Sequence, residues 1–188
     1  MIGPLSRSSS QTNKVRKRPQ ENIDQRALRL WLTSGINIPE VSQIKGDARY
    51  LLSNMIAKYT LAADVYAISK EALDQFGLRE VDLSRTYNRH TFYGKEKPFI
   101  YEHPVPVRLV RDAILNGDKT PDNVAQLLQE MPPVSVLLRS ENERLVKAKL
   151  TRDMPKEWDF GDEPYARYRA VGIELSDRSL KVKGEIMP

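Results

Sequence analysis

Cysteine is absent from all 188 residues. That absence excludes disulfides, thiolate metal sites and cysteine nucleophiles, and it fits a reducing compartment. Histidine is nearly as scarce: His90 and His103 are the only two. With no cysteine and two widely spaced histidines, a zinc site is not expected. There is no P-loop, no GxGxxG and no GxSxG, so nucleotide binding or hydrolase chemistry by those devices has no support. No apolar run approaches the roughly 18–20 residues needed to span a bilayer. The first 22 residues lack the apolar stretch of a secretory signal, so the expected location is cytoplasmic, away from membranes.

What is present is an ordinary supply of core-forming residues, 40% hydrophobic, enough for one domain with a small appendage. The net charge of +5 is unevenly placed. Residues 1–22 carry Arg7, Lys14, Arg16, Lys17 and Arg18 against Glu21, a balance of +4; subtracting these from 30 basic and 25 acidic residues leaves 25 and 24. The basicity therefore belongs to an N-terminal arm whose Ser/Gln/Asn/Lys/Arg composition predicts disorder. Lys14, Arg16, Lys17 and Arg18 are the candidate phosphate contacts of that arm. A solvated tail without a specific role is the alternative.

Along the chain, helical spacing of Ala27, Leu28, Trp31 and Leu32 predicts a first helix that stops at Gly35. Residues 47–76 repeat apolar side chains at helical spacing throughout, with a fresh start near Ser69 and Glu71 and a stop at Gly77. Trp31, Met55, Tyr59 and Phe76 are expected in the core. The stretch TYNRHTFYGKEK is aromatic and basic, compatible with base stacking or with an exposed loop; His90 lies in it. PFIYEH (98–103) reads as a short strand. Two helices follow, one over 107–115 stopped by Asn116-Gly117 and one capped by Thr120 with Pro121 at its first position. VSVLL (134–138) is a second strand, and Ser140 is expected to cap the next helix. Trp158, Tyr165 and Tyr168 are expected to fold the segment WDFGDEPYARYRAVGI (158–173) back over the strand-and-helix region that precedes it, and the polar end from Leu175 reads as loose.

Glu102-His103 is the one pair with chemical promise. It closes a strand, where side chains can leave the core, and it joins a general base to a ligand for a hard cation. Neighbours on a regular strand point to opposite faces, so both would reach one site only if the strand end twists. The alternative is a surface or hinge pair whose histidine bonds a carboxylate or a backbone group.

YEHPVP (101–106) resembles the acidic-His-x-x-Pro opening of HNH, or His-Me, endonucleases. VLLRSENERLVKAKLTRDMP (136–155) is similar to the second strand and helix of zinc-free members of that superfamily. The resemblance covers residues 98–155. It implies that His103 activates a water against a phosphodiester, and that Glu102 holds a divalent metal with Asn142, or Glu141 or Glu143 beside it. Arg139 and Lys147 would hold neighbouring phosphates, and Mg²⁺ or Mn²⁺ would stabilise the transition state. The chain departs from the family in having Glu where Asp is usual, and in a long helical insertion.

The expected fold is therefore α+β and mostly helical: a helical region 23–77, then a ββα-metal-like region 78–155 with an insertion at 104–133, then a segment 156–188. The expected function is metal-dependent hydrolysis of DNA, with RNA as another substrate class. The alternative is a non-catalytic nucleic-acid-binding or assembly protein of phage or mobile-element type, which uses the basic arm and takes a protein partner or a second copy.

Overall fold

The computed structural model describes residues 21–36, 47–77, 82–88 and 98–183. The arm residues Lys14, Arg16, Lys17 and Arg18, His90 and most of the aromatic-basic stretch lie outside the described residues.

Helix α1 (Ile23–Gly35) starts on a capping box, in which the Asn22 side chain accepts from Gln25 N–H and the Gln25 side chain accepts from Asn22 N–H. Two orphan donors of the helix start are satisfied reciprocally. The same residues tie α1 to α2 (Asp47–Leu61): Asn22 Nδ2 donates to Ala62 O at 2.6 Å and Gln25 Nε2 to Tyr59 O at 3.2 Å. Glu21 accepts from Arg29 Nε at 3.0 Å and from Tyr59 Oη at 2.9 Å. The N-terminal end of α1 thus lies against the C-terminal end of α2.

β1 (Val65–Ser69) runs directly into α3 (Lys70–Gly77). This corrects the expectation of helix across 47–76. VYAIS is a short apolar run rich in β-branched and aromatic side chains, and such a run fits either period. Its place between two strands decides it. Ser69 does start a helix, its Oγ accepting from Ala72 N–H at 3.0 Å.

After β2 (Tyr87–Asn88) comes β3 (Phe99–Glu102), then α4 (Val107–Asn116) and α5 (Pro121–Glu130). Gly117 ends α4 at a point where an added Cβ would lie 2.7 Å from Ala113 O. Thr120 Oγ1 accepts from Asn123 N–H at 3.4 Å, and Pro121 fills the first position of α5. β4 (Ser135–Leu138) leads into α6 (Arg139–Lys147). Ser140 does not cap α6. Glu141 does: its Oε2 accepts from Leu138 N–H at 2.8 Å, from inside the first turn. The short α7 (Ala166–Ala170) and the nine-residue β5 (Leu175–Lys183) complete the order.

The sheet has the strand order β2-β5-β1-β4-β3. β1 is central, parallel to β4 and antiparallel to β5. β3 pairs antiparallel with β4 in the register Phe99↔Leu138 to Glu102↔Ser135. β5 overturns the expectation of a loose end after Leu175: Leu180 and Val182 are buried beside Tyr66, Ile68 and Phe76. Its polar side chains alternate with these two, a period-2 signal easily read as loop.

Three apolar clusters hold these layers. One sheet face packs on α3, with Phe76 stacked on Phe99 at 4.2 Å. The other face, through Leu137, packs on Leu145 of α6 and on Tyr168 and Ile173, with Tyr165 beside them; of the aromatics expected to fold back, Trp158 lies elsewhere, on the third cluster. The third cluster joins α1, α2, α4 and α5, and Trp158 and Phe160 lie against it. Met55 is half-buried there, and Tyr59 and Phe76 are buried. Trp31 is not core: it is 61% exposed, because Leu32 takes the inward position. The architecture is α+β and mostly helical. Strands from the regions 23–77, 78–155 and 156–188 share one sheet.

Leu180→Ala should cost about 2–5 kcal/mol in urea unfolding, as expected for a buried leucine cut to alanine. Trp31→Gln should stay within about 0.5 kcal/mol of the parent, as surface changes do.

Candidate functional site

The alternation of a strand sends Ile100 and Glu102 to the face shared by Leu137 and α7. His103 follows the strand, and its side chain goes the other way, toward α2. There its Nδ1 lies 2.9 Å from Thr60 Oγ1, and Thr60 Oγ1 also donates to Ala57 O at 3.0 Å. A threonine hydroxyl has one proton. With that proton on Ala57 O, His103 is satisfied as a neutral ring donating from Nδ1. The two neighbours therefore diverge rather than converge.

Glu102 meets Arg167, whose side chain is wholly buried. Arg167 Nε donates to Pro104 O at 2.9 Å, and Nη1 donates to Leu150 O at 2.6 Å and Thr151 O at 3.3 Å. Nη2 donates to the Glu102 carboxylate and to His103 O. A guanidinium has five N–H donors, and here each has an acceptor. Tyr168 Oη adds a bond to Glu102 O at 3.3 Å. One arginine of α7 thus ties the end of β3, the turn into α4 and the segment after α6 into one joint.

The electrostatics follow from burial. Desolvation pushes Glu102 above the usual carboxylate range, against the pull of Arg167. His103 is pushed down to about 4, first by desolvation and then by repulsion from Arg167. Burial also holds the Tyr168 phenol well above its usual range. At neutral pH His103 is an uncharged ring and a weak base.

The residues named for metal binding do not come together. β3 and β4 are antiparallel, so Glu102 lies at the Ser135 end of the pair and α6 begins at the Leu138 end. Three strand residues separate the ends, roughly 10 Å. Glu141 is wholly buried at its end, accepting from Ser69 Oγ at 2.6 Å and from Leu138 N–H at 2.8 Å, with Arg144 3.4 Å away. Its Oε2 is spent on capping α6 and tying it to β1, and burial raises its pKa first of all. Asn142 is half-buried and Glu143 exposed on the same first turn. Among the described residues no group of three His, Asp or Glu side chains is placed to hold a cation. The described donors do not fit Mg²⁺ or Mn²⁺: among the described residues, the carboxylate beside His103, Glu102, is held by a guanidinium, and Glu141 is at the wrong end of a strand.

Arg139 and Lys147, named for phosphate, are both exposed, at opposite ends of α6. Among the acidic residues of 153–163, Asp153 pairs with Arg108, Glu163 with Arg169 at 2.6 Å, and Asp159 and Asp162 cap their own loop. The residues that sequence reasoning missed are Arg167 and Thr60. A signal for Arg167 existed: an arginine beside Tyr168 in a segment expected to be buried needs acceptors, and exposed carbonyls at a strand end before Pro104 supply them.

No protein-family model, curated protein or solved structure matches this chain.

Arg167→Met should destabilise the fold by about 3–5 kcal/mol, since it strands a buried carboxylate. Arg167→Lys should recover little, because three donors cannot serve five acceptors. Adding Glu102→Leu to Arg167→Met should restore part of the loss, read as a double-mutant cycle in urea. A second test is pH. Between pH 6.5 and about 4 the unfolded chain binds a proton at His103 that the folded chain refuses. Stability from this residue is therefore complete above pH 6.5 and is lost as pH falls through that window. Glu102 and Glu141, both raised, act in the opposite sense. His103→Gln should accordingly reduce the stability lost between pH 7 and pH 5 by about 2 kcal/mol, at 1.36 kcal/mol per pK unit.

Proposed function

We propose that the chain is a non-catalytic nucleic-acid-binding accessory protein. The saturation of Arg167 carries the first half of this reading. All five guanidinium protons are used within the protein, so the arginine beside Glu102-His103 has none to offer a phosphate. The histidine is turned to Thr60, depressed to about 4 and remote from the residues that would share a metal with it. This arrangement favours a hinge pair over catalysis, although the ring's partner is the Thr60 hydroxyl rather than a carboxylate or a backbone group, and the carboxylate and the His103 carbonyl go to Arg167.

The second half rests on charge. The arm 1–22 holds +4 of the total +5, and such arms bind polyphosphate with an affinity set by counterion release. No helix among the described residues is long and apolar enough to cross a membrane.

In a plasmid assay with Mg²⁺ or Mn²⁺, the full chain should retard DNA at low salt and leave it uncut, and His103→Ala should change neither result. Metal-dependent nicking that His103→Ala abolishes would instead establish the nuclease reading. Converting Lys14, Arg16, Lys17 and Arg18 to Gln should lower the slope of log affinity against log salt by about 3–4, near 0.9 per phosphate contact. Substitution is the sound design, since deleting 1–22 would also remove Glu21 and the Asn22 cap.

A further inference from the structure

The described part of the chain ends α6 in an unusual way. Leu150 N–H donates to Leu145 O at 2.9 Å and Lys149 N–H to Val146 O at 3.0 Å, the paired bonds of a Schellman motif. Leu145 and Leu150 add its apolar contact. The motif requires a left-handed residue between them, a place for glycine. Here it is Lys149, with φ of 58°, the single non-glycine residue of positive φ among the described residues. A lysine at this position gives up backbone stability that glycine would keep, and an exposed lysine packs nothing in return.

Its surroundings share its sign. Lys147, Lys149, Arg152 and Lys156 are exposed within ten residues, and none of the four makes an ion pair among the described residues. The one carboxylate between them, Asp153, is taken by Arg108, whose Nη2 also reaches Arg152 O at 3.5 Å. Glu143 and Glu157 bound the patch on either side. The backbone beneath is fixed: Leu150 O and Thr151 O are two of the acceptors of buried Arg167. A strained lysine, three further unpaired cations and a pinned backbone distinguish this turn from a loose charged loop.

We propose that the turn after α6, residues 147–156, is the phosphate-contacting surface of the folded body, seating a double-stranded DNA backbone without reading its sequence. Lys149 is placed by the left-handed turn, and Lys147, Arg152 and Lys156 flank it. This rests on the nucleic-acid-binding reading and adds the surface to it.

The test uses the full chain, a fluorescent DNA duplex of arbitrary sequence and a salt titration. Lys149→Gly should raise the melting temperature while weakening binding severalfold at low salt. It should also lower the salt slope by about 1, and Lys147→Gln/Arg152→Gln/Lys156→Gln together by about 3. Binding and slope unchanged in both variants, with loss only on neutralising Lys14, Arg16, Lys17 and Arg18, would overturn this surface and leave the broader reading standing. A wild-type chain that does not bind the duplex at all would overturn both. A Lys149→Gly variant that melts lower would overturn the claim that lysine is held there at a conformational cost.

Discussion

A buried guanidinium is tolerable only where every one of its protons finds an acceptor, and Arg167 meets that condition by gathering five acceptors from three parts of the chain. The end of β3, the turn that sends the chain into α4 and the exit from α6 all depend on it. Desolvating such a cation is costly, and its attraction to Glu102 alone would not offset that cost. The backbone carbonyls make the difference. They are groups that a strand end and a helix exit leave unpaired, each one costly to bury unsatisfied. Charge and backbone needs cancel at one point, which is why the arginine and the glutamate can both be withdrawn from water.

Much of the helical framework was legible because its punctuation is local. Asn116-Gly117, Thr120-Pro121 and Gly77 mark ends through backbone chemistry that needs no partner. The β3 and β4 strands were legible for the same reason, β3 lying between Pro98 and Pro104 and β4 starting after Pro132-Pro133. β1 and β5 were not. VYAIS has the composition of a strand but sits within a helical rhythm, and LSDRSLKVK looks solvent-facing until it has β1 beside it. Strands of this kind are defined by what they pair with, and no window of sequence contains that information. Trp31 shows a related limit: Leu28, Trp31 and Leu32 share a stripe, and only the packing of α2 and α5 decides which of them turn inward.

At the candidate site, the order of the elements was legible and the directions of the side chains were not. Strand, insertion, strand, helix is the order the chain has, and the antiparallel pairing of 99–102 with 135–138 is present. That same pairing carries the start of the following helix away from His103 and brings its exit back toward it. What waits near the exit is lysine and arginine, with the one carboxylate of that turn, Asp153, held by Arg108. Glu141 is the clearest lesson. An acidic residue in a first helical turn is as apt to satisfy backbone N–H groups as to bind a metal, and here its carboxylate caps α6 and reaches Ser69.

The central position of β1 has a consequence for how the chain is made. Residues 65–69 leave the ribosome long before either hydrogen-bonding neighbour, at 135–138 and 175–183, has been translated. At ordinary elongation rates the last of these follows on the order of ten seconds later. For that interval an apolar strand stands with both edges open, the condition under which nascent chains aggregate or recruit holding chaperones. The helices α1 and α2 can pair meanwhile, since both precede β1 in the chain. The strand itself is only five residues long, with Asp64 before it and Lys70-Glu71 after it. Short length and flanking charge are the gatekeepers that let such a segment wait for its partners.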